Sequence, residues 1–391
     1  MSTQVGRTGG APAWSRLAGI FEDRLSNIPV LMVLGAIWLF FYTRNEAFLS
    51  SQNITNLILQ IATTAMLALG IVFVLLVGEI DLSSAILSGV CATVVANYAV
   101  TSGWNIYLAL AAGIALGMIA MVIQAVIVVF GVPSLIVTLG GMVVFQGLLL
   151  VVLPPEFTVS VGGTDYAQIA SADVPTTVAY LVAGVVWVGY TISRWIHARG
   201  SSNDRIWAGV MSLVIGVAVF GGVAVLSRAD GLPLPVVILG AMLIVAAYVT
   251  TRTRYGVHLY AVGGDRDAAR RAGIPVSRMI IYSFAILGFC AAIAGVVDAA
   301  RLLSVSNSSG GGPLMLNAIA AAVVGGTSLF GGRGSVWSAL LGALVIGSIS
   351  NGVQLLGYSP EVQNFATGGV LVVAVAMDVV ITRGSLWPRR A

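Results

Sequence analysis

"YAVGGDRDAARRAGIPVSR", residues 260–278, is the most polar stretch in a chain whose other long segments are apolar. It holds Arg266, Arg270, Arg271 and Arg278 together with Asp265 and Asp267. Within it, residues 265–273 read as a short helix, with Asp near its start, Ala and Arg inside, Gly273 as a stop and Pro275 beyond. Two uses suit such an element. Arg residues can anchor a segment to anionic lipid headgroups. Alternatively, Ala268, Ala269 and Ala272 can form a small, close-fitting surface, flanked by Arg270 and Arg271, that docks into a partner protein.

The rest of the chain decides what this island interrupts. Of 391 residues, 58% are hydrophobic and 9% charged, and the mean hydropathy is +0.99. Soluble domains carry roughly 25% charged residues, so the composition points to an all-α polytopic membrane protein. Apolar runs of spanning length occur at about 28–43, 56–78, 82–101, 106–130, 134–153, 177–193, 206–226, 235–251, 279–300, 314–331, 336–356 and 364–382. At about 20 residues per span, twelve spans are expected, with ten or eleven as the neighbouring solutions. All 19 basic residues are Arg, and with the N-terminus inside, alternation puts all but Arg44, Arg228 and Arg301 on the inner side. The outer loop 154–176 carries Glu156, Asp165 and Asp173 and no basic residue. Such asymmetry places both termini in the cytoplasm. Residues 1–27 are then a cytoplasmic tail before an uncleaved first span, 28–382 the transmembrane domain, and 383–391 a second tail.

Three further stretches carry chemistry. In VGEIDLSSA (77–85), Glu79 and Asp81 lie between two apolar runs with no basic residue near them in sequence. Carboxylates in or at a membrane are costly and point to function, yet Asp81, followed by Ser83 and Ser84, also suits a helix cap. Glu79 is open between exposure to the cytoplasm and a place in a broken helix facing a pore. The Gly-rich stretch 309–337 predicts a discontinuous helix: a half-helix beginning near Pro313, entering from outside and carrying Asn317 to mid-depth, followed by an inner turn at GGRGS. It lacks the Lys-Ser/Thr ending of a phosphate loop. Finally, Gln60, Asn97, Gln124, Gln146, Asn351, Gln354 and Asp378 lie inside apolar runs. They serve either as hydrogen bonds between helices or as a hydrophilic path for a neutral, hydroxyl-rich solute. Cys91 and Cys290 are too few for a disulfide framework, and with His197 and His258 in Arg-rich loops no metal or catalytic constellation is visible. A faint likeness between residues 80–96 and 313–328 is too weak to establish an internal repeat.

On GEIDLSS, VPSLIVTLGGMVVFQGLLL (132–150), YAVGGDRDAARRAGI and AIAAAVVGGTSLFGGRGSV (318–336), the chain resembles the permease subunits of bacterial ABC sugar importers of the ribose/xylose/galactose group. The likeness covers residues from about 50 to 382. Residues 177–226, two spans that ribose-type permeases lack, make it most like the xylose type. The resemblance implies an ABC importer permease fold, a bacterial inner-membrane location and import of a monosaccharide, most like a pentose such as xylose. It also implies separate ATP-binding subunits, a periplasmic or lipid-anchored sugar-binding protein, a second permease copy as a homodimer, and no cofactor, nucleic acid or nucleotide site of the permease's own. It moves the reading of 252–278 toward docking, through a coupling helix touching the ATPase with Gly263, Gly264, Ala268, Ala269, Arg270, Arg271, Gly273 and Ile274. Glu79, Asp81, Ser83, Gln146, Asn317, Asn351 and Gln354 are the candidates for the translocation path. Two departures stand out: Met315-Leu316-Asn317 replaces an acidic ELD before Ala318, and VFGVPS (129–134) lacks the basic residues often found there. The competing class is an ion-coupled secondary carrier of a small neutral solute; its Gly-Asp-Arg signature is missing.

Overall fold

A computed structural model describes residues 28–197, 202–226 and 231–383; the two tails, except Arg383, lie outside the described residues. Helices dominate because nearly every segment is an uninterrupted apolar run, and in lipid only intra-segment hydrogen bonds satisfy the backbone. The order is α1 (Ile28–Arg44), α2 (Ser51–Leu76), α3 (Ser84–Ala96), α4 (Ile106–Val129), α5 (Ser134–Val152), α6 (Asp165–Ser171), α7 (Thr176–His197), α8 (Ser202–Leu226), α9 (Leu234–Arg252), α10 (Arg254–Gly264), α11 (Arg266–Arg271), α12 (Val276–Leu302), α13 (Gly312–Val324), α14 (Trp337–Leu355) and α15 (Pro360–Arg383). A wide π-turn extends α3 to Thr101. Two short antiparallel strand pairs, β1 (Thr158–Ser160) with β4 (Ser304–Ser306) and β2 (Asp173–Val174) with β3 (Leu232–Pro233), tie loops together.

Among the described residues, α2, the extended α3, α4, α5, α9, α12 and α14 are long and apolar enough to cross a membrane. Shorter apolar helices stand at 30–44, 176–192, 209–225 and 312–324. The run 314–331, counted above as a span, is helical only to Val324. Its 13 residues make a rod of about 20 Å, short of the roughly 30 Å hydrocarbon layer. Gly326 ends it: at φ +105° its N–H reaches Val323 O (2.9 Å) while Thr327 N reaches Ala322 O (3.0 Å), the paired bonds of a Schellman stop.

The centre is α2, whose residues from Ile61 to Leu76 are all buried. It packs against α12, α13 and α14, while α12 also packs against α3 and α4. Small residues bring these helices together: a Cβ at Gly117 on α4 or Gly288 on α12 would run into the other's carbonyl oxygen. That is the close approach that drives helix association where water cannot. Leu, Ile and Val side chains exposed on α4, α5, α8 and α9 form the outer apolar surface that lipid would cover.

The order of lengths repeats. A 26-residue helix (α2), a break and α3, whose α-helical part has 13 residues, precede α4 and α5; a 27-residue helix (α12), a break and the 13-residue half-helix α13 precede α14 and α15. Packing matches as well, since α4 lies on α12 as α14 lies on α2, and α3 meets α5 as α13 meets α15. The two units run in opposite senses, for the first break adjoins the α10–α11 loop and the second adjoins β1 at the other end. The two units touch where α3 meets the second break: Gly310 lies on the carbonyl of Ala85 and Gly89 on that of Ser309.

Candidate functional site

The break after α2 is where charge collects inside the bundle. Gly78 (φ +81°) stops the helix, its N–H bonding Leu75 O (2.8 Å) and Glu79 N bonding Val74 O (3.0 Å). The remaining terminal carbonyls need donors, and other parts of the chain supply them. Gly332 N donates to Leu76 O at 3.1 Å. Arg266 Nη2 donates to Val77 O and Gly78 O, each at 3.3 Å. The same nitrogen forms an ion pair with the Glu79 carboxylate, which is only 5% exposed. A cation at a helix C-terminus is favourable in its own right. The lone carboxylate expected from the sequence therefore has a partner 187 residues away, and Glu79 is not open to solvent. Sequence reading missed Arg266 because nothing local links the two segments.

Two residues on, Asp81 is 2% exposed and caps α3. Its carboxylate accepts from Ser84 N (2.8 Å), Ser83 N (3.2 Å) and Ser83 Oγ (2.7 Å). Ser83, fully buried, also bonds Gln124 of α4 at 3.2 Å. Ile80 N donates to Ser134 Oγ (3.3 Å), and Ile80 O accepts from Thr138 Oγ1 (3.4 Å), both on α5. Seven residues thus tie α2, α3, α4 and α5 to one another.

The polar island folds as a pair of short helices against this break. Asp265 caps α11, accepting from Asp267 N and Ala268 N at 2.9 Å each. These bonds, with Ala268 N–H the strongest influence and the Arg271 charge adding to it, hold the Asp265 carboxyl below the usual carboxylate range. Gly273 (φ +79°) stops α11. Gly263 cannot carry a side chain, because a Cβ there would overlap the carbonyl oxygen of Leu76. Gly331 and Gly332 also leave no room for a Cβ against Gly78, Gly263 and Gly264. Backbone therefore lies directly on backbone where three segments meet.

Placement sorts the residues singled out from the sequence. Ala269 is 4% exposed and faces the protein's own core, which corrects its assignment to an outward docking surface; α11 must bury one face to lie on the bundle. Gly263 is likewise turned inward. Gly264, Ala268, Arg270, Arg271, Ala272 and Gly273 are exposed, with Ile274 half-buried. The path candidates do not form one cluster. Glu79, Asp81 and Ser83 share the break. Asn351 exchanges hydrogen bonds with Asn53 (2.9 and 3.1 Å), and Gln146 Nε2 reaches Asn307 O at 3.4 Å. Asn317 is half-buried on α13, and Gln354 is exposed. The side chain of Asp378 lies outside the described residues. Among the described residues no group of three or more His, Cys, Asp or Glu is placed to hold a metal.

Comparison with known proteins gives this geometry a context. Residues 53–375 match the family described as branched-chain amino acid transport system, permease component. The xylose transport system permease protein XylH of Escherichia coli (strain K12) is 33% identical over 96% of this chain and 97% of its own length. The ribose import permease protein RbsC of the same strain is 31% identical, covering 97% and 99%. The D-allose transport system permease protein AlsC is 29% identical, covering 93% and 94%. No solved structure matches the chain. The chain therefore belongs to the family of transport-system permease components, and its likeness to that family's sugar permeases runs along almost its whole length.

Proposed function

We propose that the protein is the membrane subunit of an ATP-driven importer of a monosaccharide, a pentose such as xylose, in a bacterial inner membrane. The observation that carries this reading is the end-to-end likeness to XylH, which includes the segment 177–226. Each functional complex holds two copies of the permease, both termini lie in the cytoplasm, and the α10–α11 loop is cytoplasmic. Twelve helical segments form the membrane part, α13 being a half-span. Nucleotide-driven closure of two ATPase subunits pulls on the exposed face of α11 and its flanks, formed by Gly264, Ala268, Arg270, Arg271 and Gly273. A binding protein delivers sugar to the opposite end. Because a sugar is neutral, passing hydrogen bonds from groups such as Asn317 and Gln146 suffice, and tight binding would slow release. Selectivity then rests mainly with the binding protein.

The test is reconstitution with the ATPase and the binding protein in liposomes. ATP-dependent uptake of xylose, exceeding that of ribose and allose, is the expected result. Uptake that needs a proton gradient and ignores ATP would overturn the reading in favour of an ion-coupled carrier.

A further inference from the structure

Arg266 does more than neutralise a buried acid. It sits on the loop proposed to contact the ATPase, yet its side chain closes the end of α2 and binds the acid of the α2–α3 break. Around it, Gly263 lies on Leu76 and Gly331 lies on Gly78 with no side chain between, so a shift of the loop cannot be absorbed by a change of rotamer. Beyond it, the break holds α3 through the Asp81 cap, α4 through Ser83–Gln124 and α5 through Ile80–Ser134. We propose that Arg266 is a positioning residue that locks the α10–α11 loop to the α2–α3 break, so that the two move as one body and drive α3. This deepens the functional reading above and rests on it only for what pulls the loop.

Removing Arg266 alone leaves Glu79 buried without a partner, which by itself could unsettle the fold. The informative variant is therefore Arg266→Met with Glu79→Gln, which removes both charges, beside Arg266→Lys, which keeps the cation. In the reconstituted complex the double variant is expected to retain its ATPase and hydrolyse ATP. Sugar moved per ATP should fall on the order of tenfold, within the usual range of inter-site coupling. Arg266→Lys should recover most of it. Unchanged sugar per ATP in the double variant would overturn the proposal. A second readout does not depend on transport: amide hydrogen exchange of the purified permease. With the lock in place, residues 77–84 and 264–274 should open together, and in the double variant they should exchange at separate rates. If the wild-type complex imports no sugar with ATP, the functional reading fails, while the exchange comparison still decides the lock. Separate opening in the wild type, or joint opening in the double variant, would refute it.

Discussion

Replacing Asp81 by Ala tests whether the α2–α3 break is a built joint or a slack connection. The carboxylate accepts two backbone N–H groups and one hydroxyl at 2.7–3.2 Å, at a residue 2% exposed. Ser83 Oγ keeps Gln124 as a partner, so the substitution strands two amides and removes a helix cap. At about 1–3 kcal/mol for each of the two buried donors left unmade, the loss comes to about 2–6 kcal/mol. With roughly 2 °C of melting temperature per kcal/mol for a large domain, the midpoint should fall by about 4–12 °C. Asp81→Asn keeps an acceptor and should lose about half as much. The protein carries its own reporters in detergent, because Cys91 and Cys290 are both buried and free. Cys91 sits on α3 and Cys290 on α12, so a thiol-reactive dye distinguishes fraying of α3 from global unfolding. In Asp81→Ala, Cys91 should react first. A midpoint within about 1 °C of wild type, with both thiols reacting together, would show that the cap contributes nothing and refute the reasoning.

Two further predictions concern the α11 loop. Ala268→Trp, on the exposed side, should leave the melting temperature unchanged but prevent co-purification of the ATPase, whereas Ala269→Trp should destabilise the permease itself by about 1–3 kcal/mol through overpacking. For Asp265, whose folded pKa is depressed, the sign is that its contribution is present above the ordinary carboxylate pKa and lost as pH falls through the folded value. Amide protection over 266–272, taken relative to the intrinsic exchange rate at each pH, should therefore fall on acidification from pH near 7 to about 3; Asp265→Ala should show the lower protection already at pH near 7 and little further loss on acidification.

The chain by itself settles a good deal here. Apolar run length against bilayer thickness gives a helical, polytopic protein. The helix at 265–273 was readable from Asp265 at one end and Gly273 at the other, because caps are chemistry within a few residues. Gly and Pro around 309–313 marked the start of a half-helix for the same reason. The family was legible from segments such as GEIDLSS and AIAAAVVGG, which the matches to sugar permeases bear out. What the tertiary structure decided is which distant segments meet. A helix as apolar on every side as α2 offers no periodic face by which to read its neighbours, so neither its contact with Gly263 nor the burial of Ala269 could be inferred. Arg266 and Glu79 are an ordinary cation and anion until α10, α11 and the break are stacked backbone to backbone. The paired helices α3 and α13 follow equivalent breaks and share surroundings while their sequences share little. Packing in lipid demands small residues and a stop in the right place, and many sequences satisfy that.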